Sequence, residues 1–260
     1  VLPSSFDGRF NRLGEDGFRF ACHPGVPCFN QCCRKLNLIL TPYDVLRLRR
    51  NLGLSSEDFL DRHTEVKPGQ NGWPQVWLMM NQDDPERTCP FLTESGCSVY
   101  PDRPGACRAY PLGRATRGGA GLGSGPQQED FFLVKEDHCQ GFEQGSSWTP
   151  ETWSHSQGLE EYNEVNDLFL PLITRQPPDS DPGLITKKMQ MFFMACYNQD
   201  AFRAFANQSR FGQLLAIPKA RLQAAVEDDL ELLRLGFNWL RFAIFGESVM
   251  EIRPQNGEIK

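Results

Sequence analysis

Apolar positions change their spacing partway along the chain. From about Trp148 they recur at helical intervals. Tyr162, Val165, Leu168, Phe169 and Leu172 fall on one face of a helix over 159–173. Thr149-Pro150-Glu151 is a helix start with a capping threonine and a proline at the first turn. A linker at 176–183, rich in Pro and Asp, precedes a helix at about 184–198, and a long final helix is predicted over 219–245. Met189, Met191, Phe192, Phe193 and Met194 read as core rather than as a cofactor box, and Cys196 among them as a small buried thiol.

Before Trp148 the apolar runs are short and punctuated by Gly and Pro, as in His23-Pro24-Gly25-Val26-Pro27 and Tyr100-Pro101-Asp102-Arg103-Pro104-Gly105. One helix is strongly signalled there. Thr41-Pro42-Tyr43-Asp44 supplies an N-cap, an N1 proline and an acidic N3, Val45, Leu46 and Leu48 follow, and Gly53 terminates. A second short helix starts at Ser55 or Ser56, and 76–80 and 131–134 read as short strands. The glycine-rich stretch 113–125 lacks the strand-to-helix setting and the Lys-Ser or Lys-Thr of a phosphate loop, so it reads as a mobile surface loop. These signals predict an α+β fold, mostly α. A loop-rich cysteine region nucleated by metal, residues 1–145, packs with a C-terminal helical bundle, residues 146–260.

Composition narrows the function. Lys and Arg number 27 against 33 Asp and Glu, a net charge of -6 and a pI of about 5.3. This argues against a nucleic-acid partner, whose phosphates need a basic face. The local run Arg47, Arg49, Arg50 reads as the solvated face of a helix. No apolar run approaches the ~18 residues of a membrane span. The first twenty residues are too charged for a signal peptide. The expectation is a cytoplasmic protein.

The cysteines carry the candidate chemistry. Cys22, Cys28, Cys32, Cys33, Cys89, Cys97, Cys107 and Cys139 crowd into the first 140 residues, and only Cys196 follows. Disulfides are the first rival, but the adjacent Cys32 and Cys33 cannot bridge each other without heavy strain. Thiolates are soft, anionic ligands, and four of them suit zinc or the irons of a cluster, so eight suffice for two centres. The groups are Cys22-x5-Cys28-x3-Cys32-Cys33 and Cys89-Pro90-x6-Cys97-x9-Cys107, with Cys139 arriving later. Neither has the paired C-x2-C knuckles of a zinc ribbon. Cys32 and Cys33, being adjacent, are expected to point apart and serve different metals or different edges of one cluster. His23 and His138, each beside a cysteine, are possible mixed ligands, whereas His63 and His155 lie outside the groups. Arg34, Arg103 and Arg108 either offset thiolate charge or are ordinary surface arginines.

The motifs resemble the cysteine-cluster proteins called the YkgJ-like or CxxCxxCC family of zinc- or iron-chelating domains. The resemblance rests on Cys28 through Cys32-Cys33-Arg34, Thr41-Pro42-Tyr43-Asp44-Val45 and Cys89-Pro90-Phe91-Leu92. Further along it rests on Gly96-Cys97-Ser98-Val99-Tyr100, Arg103-Pro104 and Cys107-Arg108-Ala109-Tyr110-Pro111. It covers about residues 20–145. The spacing differs from the family name, with five and three residues where the name has two and two, so the loop 23–27 must bulge to bring Cys22 in. Membership implies chelation by these cysteines. The domain is also similar to the cysteine domain of flagellin lysine N-methylases, which are associated with an iron-sulfur cluster.

The leading expectation is a [4Fe-4S] protein, with a second thiolate site, in a redox, sensing or accessory role. The Cys89-Pro90 step is of the sort seen in ferredoxins. Zinc or iron ions held structurally or in storage are the alternative cofactors. An S-adenosylmethionine-dependent protein-lysine methyltransferase is the alternative enzyme, although no methyl-donor motif or catalytic residue can be assigned. A protein partner, or a second copy of the chain, would dock on the C-terminal helices.

Overall fold

The computed structural model describes residues 10–13, 17–117, 128–178, 181–208 and 210–254. The first half holds β1 (Phe10–Arg12), β2 (Phe18–Phe20), β3 (Ile39–Leu40), α1 (Pro42–Leu52), α2 (Ser56–His63), β4 (Thr64–Pro68) and β5 (Pro74–Leu78). Next come β6 (Leu92–Thr93), β7 (Gly96–Cys97), α3 (Gly105–Ala109), β8 (Leu112–Arg117), β9 (Gln128–Val134) and β10 (Ser146–Trp148). The remainder is helical: α4 (Pro150–Gln157), α5 (Glu160–Ile173), α6 (Pro182–Cys196), α7 (Gln199–Gln208), α8 (Phe211–Leu214), α9 (Lys219–Glu227) and α10 (Asp229–Phe245). The fold is thus α+β and mostly α. Among the described residues no helix is long and apolar enough to cross a membrane.

Local chemistry explains the strongest elements. Thr41 Oγ1 accepts from the Asp44 amide and the Asp44 carboxylate accepts from the Thr41 amide at 2.8 Å, a reciprocal capping box that starts α1. Gly53 ends it with φ at +64°, a left-handed conformation that glycine adopts without penalty. Ser55 caps α2 by accepting from the Asp58 amide.

The chain forms two compact units, residues 1–39 with 78–167, and residues 40–77 with 168–260. In the first, β1, β9 and β8 make an antiparallel sheet in which Leu112 faces Leu133, and β2 pairs with β10. Phe18, Phe20, Leu112, Leu133 and Trp153 form its core, and Tyr110, Phe142, Trp148 and Cys139 pack against them. Phe20 meets Tyr110, Phe142 and Trp153 edge-on at centroid distances of 5.3–5.8 Å. The indole N–H groups do not go unused: Trp148 donates to the Phe20 carbonyl and Trp153 to that of Ala109.

The second unit is a helical assembly flanked by the sheet β3-β5-β4. Its fully buried side chains include Phe59, Trp73, Phe192, Phe202, Leu232, Leu233 and Leu240. Trp73 stacks on Phe192 at 4.6 Å, and its indole N–H reaches the Arg175 carbonyl at 2.6 Å. Cys196 is buried here, as a small apolar thiol is expected to be.

Three sequence expectations are corrected. The long helix over 219–245 is two helices. Asp228 is extended, and its carboxylate accepts from the amides of Leu230 and Glu231, so it caps α10 and interrupts the run. Arg49 is not solvated but buried, pairing with Asp229 at 2.6 Å, and Arg50 pairs with the same carboxylate at 2.7 Å. Within the glycine-rich stretch, 113–117 belongs to strand β8, and its remainder lies outside the described residues.

Candidate metal centre

The first cysteine group sits on consecutive tight turns rather than on a regular element. Amide-to-carbonyl bonds run from Val26 to His23, Phe29 to Val26, Gln31 to Cys28 and Cys33 to Asn30, each about one turn long. Val26, almost fully buried, pins the loop 23–27. Asn30 takes a left-handed conformation, φ +69°, and opens the short 3₁₀ turn Gln31–Cys33 that carries the vicinal pair. Arg34 closes the turn by donating to the Asn30 carbonyl at 2.9 Å.

Backbone pairing then brings the second group in. The Cys89 amide donates to the Cys33 carbonyl at 2.8 Å, and Arg34 bridges to Thr88. Cys97 lies on β7, opposite Leu92 of β6. The preceding Gly96 has φ +121°, and a side chain there would face the Phe29 ring at 3.5 Å. Cys107 is exposed on α3, and Cys139 lies half-buried beside the Phe18–Phe20 core.

All nine cysteines are free thiols. Cys22 lies within electrostatic reach of Cys28, Cys32 and Cys139, and Cys139 of Cys28, while Cys32, Cys89 and Cys97 lie within reach of one another. Cys32 therefore belongs to both sets. Burial pushes the Cys22 thiol up to about 11, and Cys32, Cys28 and Cys139 add to the rise. Cys89 is likewise pushed up to about 11 by burial, with Cys97 and Cys32 contributing. Cys32 is raised chiefly by its hydrogen bond with the Cys33 thiol. Sequence reasoning expected those two side chains to serve different metals or different edges of one cluster, and the 3₁₀ turn keeps the two thiols within interaction range of each other. The Gln140 amide donates to Cys28 Sγ at 3.2 Å, and the Cys28 and Cys139 thiols lie within interaction range of each other.

The cationic surroundings separate into three roles. Arg103 and Arg108 are each only 9 % exposed, which excludes the surface reading for both. Arg108 donates to the carbonyls of Gln157 and Pro101, and so finishes α4. Arg103 lies within reach of Cys97 and Cys107. Arg34 stays half-exposed beside Cys32. His23 and His138 are exposed, and His23 Nδ1 accepts from the Gly25 amide at 3.1 Å.

The donor chemistry fits a thiophilic metal: soft thiols brought from distant parts of the segment and raised in pKa by their neighbours. Metal binding exchanges the protons that separate such thiols for a cation. Tyr110 adds a second indication. Its buried hydroxyl makes no hydrogen bond of good geometry, and it faces the Cys139 thiol. A hydroxyl so placed is suited to donate to a sulfur that has become anionic. As they stand, no three His, Cys, Asp or Glu side chains among the described residues converge as a closed metal cage. Sequence reasoning overlooked Tyr110. Its place in Cys107-Arg108-Ala109-Tyr110-Pro111 was visible, but its approach to Cys139 depends on the packing around Phe20.

This first unit has the donor set of a zinc- or iron-chelating domain. Residues 21–140 match the model of the CxxCxxCC family, described as "Putative zinc- or iron-chelating domain". No curated protein and no solved structure matches the chain.

Proposed function

We propose that the protein holds iron as a [4Fe-4S] cluster on Cys22, Cys28, Cys32 and Cys139, with Cys33, Cys89, Cys97 and Cys107 forming an adjoining thiolate site, in a redox, sensing or accessory role. The observation that carries the proposal is the gathering of Cys28, Cys32 and Cys139 around Cys22, four free thiols from both ends of the matched segment. The match of residues 21–140 to a zinc- or iron-chelating domain supports metal as the occupant. Sharing of Cys32 between the two sets favours a polynuclear centre over two independent zinc ions. The Gln140 N–H donated to Cys28, and the Tyr110 hydroxyl lying near Cys139, are groups of the kind that tune cluster potentials.

The test is elemental analysis of anaerobically purified protein for iron, acid-labile sulfide and zinc, together with visible absorption and EPR. Brown protein with matching iron and sulfide is expected. Colourless protein with stoichiometric zinc would refute the cluster and leave the zinc reading. Protein that takes up neither metal after anaerobic reconstitution would refute chelation.

A further inference from the structure

The helical unit holds an apolar cavity that the cysteine chemistry leaves unused. Its volume is about 430 Å³, within the ~300–1,000 Å³ range of small-molecule sites. Phe205 of α7, Phe211 of α8 and Trp239 of α10 line it, with ring centroids 5.1–5.9 Å apart. Phe211 and Trp239 are buried and make the floor, whereas Leu214 and Ile252 stand at the mouth, 45 % and 65 % exposed. The wall that carries Ile252 is fixed by backbone pairing on either side of the Leu215–Ile252 bridge. There the Ala216 amide donates to the Glu251 carbonyl at 2.8 Å, and the Arg253 amide to the Leu214 carbonyl at 2.7 Å. The cavity is therefore built into the fold rather than opened by a ligand.

One lining residue is charged. Arg210 is exposed, and its carbonyl, which accepts from the Gln213 and Leu214 amides, ties its backbone to α8. The arginines of α7 and α10 are already committed: Arg203 pairs with Asp229, Arg234 with Glu231 and Arg241 with Glu247. Among the described residues no Asp or Glu pairs with Arg210. A single guanidinium beside an apolar cavity matches one planar anionic head on an apolar tail, because its fork of N–H groups suits the two oxygens of a carboxylate.

We infer that this cavity binds an amphiphilic monocarboxylate of the fatty-acid class, its tail against Phe205, Phe211 and Trp239 and its head on Arg210. The site is independent of the metal chelation proposed above. Its concave shape suits a small molecule, and the rival occupant is a second copy of the chain.

The measurement is calorimetric titration of the full chain, as purified, with octanoate and with 1-octanol, which keeps the tail and lacks the charge. Wild type is expected to bind octanoate more tightly than octanol. Arg210→Gln is expected to weaken octanoate about tenfold and leave octanol unchanged, the low end for a charged hydrogen bond because Arg210 meets solvent. Leu214→Gln is expected to weaken both ligands by a similar factor. Wild type that binds no octanoate would overturn the inference, as would an Arg210→Gln variant that loses both ligands equally. Octanoate binding unchanged in both variants would place the ligand elsewhere and overturn it too. A wild-type dimer in light scattering that Leu214→Gln converts to monomer would assign the cavity to a second copy instead.

Discussion

Metal-free protein should alkylate slowly at Cys22 even though that residue is exposed. Burial of the sulfur and the neighbouring thiols push its pKa from the ordinary 9.0 to about 11. A rise of that size lowers the thiolate fraction near neutrality by roughly a hundredfold. A more basic thiolate is also a better nucleophile, and a Brønsted slope of about 0.4–0.5 returns close to a factor of ten. The net expectation is alkylation about tenfold slower than an unhindered cysteine. The sign follows from the direction of the change: a raised pKa keeps the thiol neutral, so the rate climbs with pH until about pH 11. The assay is timed iodoacetamide labelling of reduced, metal-free protein, with peptide mass spectrometry resolving Cys22 and Cys89, whose pKa is also about 11. Labelling of Cys22 near pH 7.5 at the rate of a free cysteine would refute the electrostatic argument. Fast labelling at Cys22 with slow labelling at Cys89 would assign the protection at Cys89 to burial alone.

Three further perturbations probe the two units. Cys32→Ser should reduce metal uptake by both thiol groups, whereas Cys22→Ser should affect the first group alone, because Cys32 lies near the members of both. Equal losses in elemental analysis would contradict the shared position. In a free helix Gly→Ala is worth ~1 kcal/mol of stabilisation. Gly236→Ala in α10 should instead destabilise, since a Cβ there would lie 2.8 Å from the Ala195 carbonyl, and a raised unfolding midpoint would refute that packing. Burial opposes ionisation of Asp229, but Arg50 and Arg49 outweigh it and hold its carboxyl below the ordinary 3.8. The ion pairs therefore contribute fully above the ordinary carboxylate pKa and are lost as pH falls through the lowered one. Asp229→Asn should cost about 3 kcal/mol near neutrality by leaving Arg49 buried without its charge partner, and the deficit should shrink in strong acid, as read by urea unfolding.

Local signals in the sequence survive into the structure where neighbours along the chain create them. The Thr41-Pro42-Tyr43-Asp44 start needs only its own side chains to cap α1, and Gly53 needs only its own φ to end it. The same holds for Thr149-Pro150 at α4. The break at Asp228 was legible in principle, since an aspartate two and three residues before the amides it accepts from is an N-cap signal. The apolar positions on either side masked it. The pairings of β1 with β9 and of β2 with β10 are a different matter, because they join residues more than a hundred positions apart, and β1, β2 and β10 are three-residue strands whose pattern is too short to read.

The cysteine site divides along the same line. Spacing along the chain says which thiols are available, and Cys32-Cys33 adjacency invited the inference that they diverge. A 3₁₀ turn opened by a left-handed Asn30 carries the pair and keeps the two thiols within interaction range, and no periodicity announces it. Cys139 reaches Cys28 because the segment 135–141 crosses the Phe20 core, where the Ala21 amide takes the Gly141 carbonyl at 3.0 Å. That crossing also sets the Tyr110 hydroxyl beside Cys139. The same core that buries Phe18, Phe20 and Trp153 therefore decides the composition of the first thiol group. Eight neutral thiols can share such a space at little electrostatic cost. Eight thiolates cannot, and their charge must be met by bound cations together with whatever fixed cation the fold supplies.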